Sequence, residues 1–270
     1  MFGKLFVQEW LDHKKAVAFG TLTVALVVVV LSFLLHLLNI GFVSALATVA
    51  AVGGAGAALV ATCIFLALGY WKTTRGSRAY FTFSIPATGR QIFWAKVLFA
   101  YLMVVAAIVI ILGAVLSTMW NNARTRGVSL TESLAPIRTF LAVLGAWKVA
   151  AGVVLILLFL FLYVAVVAAL ISITAQEQYQ RHAGAFVIAL VLVYIAVQTL
   201  SLLATFFLPG TINLATGELS WETMFPAVLE TIRTGADPVV LGLGSIPVSI
   251  VFLSGVTWWG VRAVERPSVR

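Results

Sequence analysis

Of the 270 residues, 62% are hydrophobic and only 10% charged, against roughly 45–50% and about 25% in soluble domains. With a mean hydropathy of +1.11, a water-soluble globule could not hide this surface. The implied solvent is lipid, and continuous rather than alternating apolar runs select α-helices over a β-barrel. The formal net charge of +8 acts here through its distribution, as a topology signal, and calls for no nucleic-acid partner.

Residues 2–15 place Phe2, Leu5, Phe6, Trp10 and Leu11 on one helical face and Lys4, Gln8, Asp12 and Lys15 opposite. This predicts an N-terminal interfacial helix over 1–15, lying on the inner leaflet as a simple anchor or as an elbow that also touches a cytoplasmic partner. Runs of roughly 20 apolar residues then predict six transmembrane helices, at Ala16–Leu38, Ser44–Tyr70, Val97–Met119, Ala146–Ile173, Ala183–Leu208 and Val239–Ala263. The first run is too long for a signal-peptide core of about 7–15 residues. In the second, Gly53, Gly54, Gly56, Ala57 and Ala58 read as a helix-packing stripe, since a nucleotide-binding glycine cluster belongs between a strand and a helix.

The loop joining the second and third spans, residues 71–96, is WKTTRGSRAYFTFSIPATGRQIFWAK. It is basic and aromatic, broken by Gly76, Pro86 and Gly89, and free of acids. A solvated loop has no need of Tyr80, Phe81, Phe83 and Ile85 so close together, so they must bury against a protein groove or lipid. Lys72, Arg75 and Arg78 would suit anionic lipid on the second of these readings. Thr88-Gly89-Arg90 does not make a P-loop, and the chain has no other, so ATP hydrolysis by that route needs a separate subunit.

Within residues 209–238, Trp221, Met224, Phe225, Val228, Leu229 and Ile232 follow i, i+3, i+4, i+7 spacing with Ser220 as N-cap. A short amphipathic helix is predicted before the last span, as a lid over an exit path or a helix resting on the outer leaflet or bundle. An even number of spans puts both termini on one side. That side collects Lys4, Lys14, Lys15, the five basic residues of 71–96, Arg181 and the C-terminal arginines, leaving Arg124, Arg126, Arg138, Lys148 and Arg233 opposite. The positive-inside rule makes the richer side cytoplasmic.

All nine acidic residues lie outside the predicted spans, which disfavours ion coupling through intramembrane carboxylates. His13, His36 and His182 are too dispersed for a metal site, and no nucleophile stands with a base. Neither catalysis nor a cofactor of its own is expected of the chain. The polar residues inside spans, Thr21, Thr23, Gln198, Thr199 and Ser201, are uncharged. They form a candidate substrate path for an amphipathic or apolar cargo, or else hydroxyls that bond their own and neighbouring helices.

The run Tyr80-Phe81-Thr82-Phe83-Ser84-Ile85-Pro86, leading through Arg90 to Lys96, resembles the segment after the second span of type-2 ABC exporter permeases. There a coupling helix passes through an aromatic/Leu-Pro stretch and a basic residue into the third span. The link between the fourth and fifth spans, with Gln176, Tyr179, Arg181 and Gly184, fits as well. The resemblance implies a single permease domain over 1–270 with a cytoplasmic coupling helix. Its partner-coupling residues would be Arg75, Arg78, Tyr80, Phe81, Phe83, Ile85, Pro86, Arg90, Gln176 and Arg181. It further implies pairing with a second or homologous permease copy, and docking on ABC ATPase subunits that bind ATP and Mg. Cargo would then move outward across the cell membrane. The reading of another class is an ATP-independent scaffold or sensor that recruits cytoplasmic proteins through the same loop.

Overall fold

The computed structural model describes residues 2–13, 21–38, 40–74, 87–176, 179, 184–235 and 240–265. Helices α1 (Phe2–His13), α2 (Thr23–His36), α3 (Gly41–Thr74) and α4 (Gly89–Thr125) are followed by α5 (Leu130–Ser133), α6 (Ala135–Leu144), α7 (Ala146–Thr174) and α8 (Ala185–Phe207). Strands β1 (Thr211–Asn213) and β2 (Leu219–Ser220), helix α9 (Phe225–Thr234), strand β3 (Val240–Gly242) and helix α10 (Ser245–Glu265) complete the chain. Among the described residues, five helices, α3, α4, α7, α8 and α10, are long and apolar enough to cross a membrane. The shortest has 21 residues, about 30 Å at 1.5 Å per residue and so the thickness of a hydrocarbon core. They turn large apolar side chains outward, such as Ile156, Leu192 and Val251, which only lipid accommodates. The protein is a multi-pass α-helical membrane protein. The described part of the first predicted span is α2, an apolar helix of 14 residues.

Two compact units divide the chain, Met1–Ala135 and Pro136–Arg270. In the first, α2, α3 and α4 meet at Val29, Ala51, Ala55 and Ala114. Ala47, Ala51 and Ala55 recur every four residues, all buried, and let the helices approach closely. The small-residue stripe therefore lies earlier on the helix than the sequence suggested. A Cβ on Gly54 would stand 3.0 Å from Val28 Cγ1, but Gly53 and Gly56 face open space. Helix α4 starts well before the predicted Val97 because Thr88 caps it: Gln91 N–H donates to Thr88 Oγ1 at 3.3 Å and Thr88 N–H to Gln91 Oε1 at 3.4 Å. A second capping box starts α5, where hydrogen bonds from the backbone and then the hydroxyl of Ser129 hold the exposed Glu132 carboxyl below its ordinary range.

In the second unit, Leu162, Val166 and Leu170 of α7 pack with Val197 of α8 and Leu253 of α10. A Cβ on Gly260 would collide with Cα and Cβ of the fully buried Ala169, so α10 crosses α7 with backbones nearly touching. The segment before the last span holds a three-stranded antiparallel sheet in the order β2-β1-β3, which the sequence did not suggest. Its β1–β2 turn is built by Asn213, whose Oδ1 accepts the N–H groups of Ala215 and Thr216, and by Gly217 at φ 71°. The expected amphipathic helix exists as α9, but Ser220 is not its N-cap. Ser220 pairs with Thr211 in the sheet, and Pro226 in the first turn sets the start. The last span likewise begins at Ser245 rather than Val239, because Val240–Gly242 is a strand.

Candidate partner-coupling site

Most of the residues expected to couple a partner, Arg75, Arg78, Tyr80, Phe81, Phe83, Ile85, Pro86 and Arg181, lie outside the described residues. What is described is the frame from which residues 75–86 depart and to which they return. On the departing side, the hydroxyls of Thr73 and Thr74 donate back to the carbonyls of Gly69, Tyr70 and Trp71, so both side chains are satisfied within the last turn of their own helix. On the returning side stands the Thr88 cap. The two are tied by Phe93, fully buried, whose ring meets Tyr70 edge-on at 6.5 Å and Trp94 at 5.1 Å.

Helix α1 completes this frame. Leu5 packs with Ile92, Ala95 and Ala87, while Phe6 and Trp10 both place ring edges near Phe99, at 6.0 and 6.3 Å. Between them, Glu9 forms an ion pair with Lys96 on α4, with the two side chains only 13% and 6% exposed. The face expected to rest on the inner leaflet is thus partly a docking face on α4, leaving Val7 and Leu11 exposed. Sequence reading missed Glu9. The available signal was an acid in phase with Leu5, Phe6 and Trp10, and a lysine at the threshold of an apolar run. Arg90 is exposed on the first turn of α4, whereas Gln176, half-buried, belongs to the second unit.

The candidate substrate-path residues do not form one set. Thr21 bonds Thr62 at 2.9 Å in the first unit, and Ser201 bonds Ser249 at 2.9 Å in the second. Both are bridges between helices. Thr23, Gln198 and Thr199 are exposed, with Gln198 Nε2 donating to Tyr194 at 3.1 Å.

A polar layer that the sequence did not single out lies in the first unit. His36, Ser44 and Asn121 each stand two turns, seven residues, from Val29, Ala51 and Ala114 of the shared cluster, so they gather at one level of α2, α3 and α4. His36 is fully buried, and its Nε2 donates to the Ser44 carbonyl at 3.2 Å. Its Nδ1, Ser44 Oγ and Asn121 Oδ1 have no hydrogen-bond partner among the described residues. Such groups are costly inside a membrane bundle and mark sites of interest there.

Comparison with protein families, curated proteins and solved structures finds no match to this chain.

Proposed function

We propose that this chain is the membrane permease subunit of an ABC exporter with six spans and both termini in the cytoplasm of a cell-membrane protein. Residues 75–86 form its coupling element toward a separate ATPase subunit, which binds the ATP and Mg, and a second permease copy or a homologue completes the pathway. The uncharged polar residues of the spans suit an amphipathic or hydrophobic cargo.

The observation that best supports this reading is the packing of the helices on either side of residues 75–86. A coupling element must pass the closure of an ATPase to more than one helix at once, and that requires stiff anchorage. Residues 75–86 run from α3 directly into the capped start of α4, and Phe93 and the Glu9–Lys96 pair bind both helices and α1 into a single frame. A loop that merely rested on lipid would need no such anchorage.

The tagged chain, purified from its native membrane in mild detergent, should bring with it a soluble subunit that hydrolyses ATP, and should hydrolyse none once that subunit is stripped away. Recovery of the chain alone, with full activity in reconstituted vesicles, would count against the proposal and favour the scaffold or sensor.

A further inference from the structure

Residues 126–145 connect two membrane-spanning helices, and α6 occupies their second half. Ile137, Phe140, Leu141 and Leu144 repeat at i, i+3, i+4 and i+7, with Ala135, Arg138, Thr139 and Ala142 on the opposite side. None of its residues is buried, and Phe140 is 47% exposed. A ten-residue helix without tertiary burial is marginal in water, so the apolar face calls for a partner beyond the described residues.

The position of α6 says which. A single residue, Gly145 at φ 81°, separates it from α7. Trp147, in the first turn of α7, is 64% exposed, with the Lys148 ammonium 5.4 Å from its ring centroid. An outward tryptophan beside a lysine at the start of a span marks the membrane–water boundary. Helix α6 is also held at that level by the β1–β2 turn. A Cβ on Gly217 would lie 2.5 Å from the Val143 carbonyl oxygen, and the Gly217 carbonyl accepts from Lys148 Nζ at 2.6 Å. Further into α7, Val153 and Val154 are exposed as well.

We infer that α6 is an interfacial helix lying in the headgroup–acyl boundary of the leaflet at which α7 begins, with Ile137, Phe140 and Leu141 in the acyl region and Arg138 toward the phosphates. The inference rests on the membrane fold and not on the transporter reading.

The test uses the full chain carrying Cys63→Ser, spin-labelled singly at residues 137–142. Each labelled chain is shown to elute as the unlabelled one does and is placed in nanodiscs of phosphatidylcholine and phosphatidylglycerol. Relaxation by oxygen, which concentrates in acyl chains, is compared with relaxation by a water-soluble nickel chelate. Labels at 137, 140 and 141 should favour oxygen several-fold, and those at 138 and 142 the chelate, with a helical period. High chelate access at all six positions would put α6 in water. Low access to both reagents at 137, 140 and 141 would mean that a second copy or another protein covers it. Either result overturns the inference.

Discussion

Replacing Lys96 with methionine should cost up to about 3–5 kcal/mol of stability, because it keeps the aliphatic stem but removes one half of a largely enclosed ion pair. An exposed ion pair would lose no more than about 1 kcal/mol, so the size of the effect reports the burial. The double variant Glu9→Gln with Lys96→Met removes both charges and should recover part of the loss, since the penalty of the single variant lies in breaking one half of an enclosed pair. Thermal unfolding of the three proteins in one detergent checks this. Equal melting temperatures for the single and double variants would show that α1 is not clamped through this pair.

Gly260→Leu should be comparably damaging for a different reason. Even a Cβ at this position meets Cα and Cβ of Ala169, and backbone atoms cannot rotate away as a flexible side chain would, so α10 must move off α7. Overpacking typically costs about 1–3 kcal/mol and occasionally more, and here it separates the helices that carry Leu253 and Val166 of the core. Gly255 lies on the same helix, but a Cβ there meets nothing. Gly255→Ala should therefore be neutral or gain up to about 1 kcal/mol in helix propensity. A lowered melting temperature is expected for Gly260→Leu and an unchanged or raised one for Gly255→Ala, and a wild-type melt for Gly260→Leu would contradict the close crossing.

The five long helices were legible because each is written in a continuous apolar run, a signal that needs no knowledge of what packs against it. Their ends were less so. The start of α4 depends on a reciprocal bond between Thr88 and Gln91, outside the apolar run by which the third span was placed. Strands of two or three residues carry no readable period, so Val240–Gly242 was absorbed into the last span and Ser220 taken for a cap. Helix α6 escaped notice because its apolar stripe is short and begins beside Pro136 in a segment between spans. The Glu9–Lys96 pair joins residues 87 apart. Each member looked like an ordinary charge near a membrane boundary until α1 was seen against α4. The same holds for His36, Ser44 and Asn121, whose shared level follows from the register of three helices and from no one of them.

On the proposed function, residues 75–86 carry the action of a separate ATPase into α3 and α4. This role is tested most directly by ATP hydrolysis in the reconstituted complex, comparing wild type, Phe81→Ala and Arg78→Glu, all assembled with the same ATPase. An aromatic anchor seated in a partner groove contributes on the order of 1–3 kcal/mol, so Phe81→Ala should lose most of the permease-dependent stimulation while the chain still inserts and assembles. Arg78→Glu separates docking from lipid attraction, which would lose only about 1 kcal/mol per basic residue. Weakened stimulation is expected in both variants, whereas wild-type stimulation in both, with the ATPase bound at wild-type affinity, would rule out this role for residues 75–86.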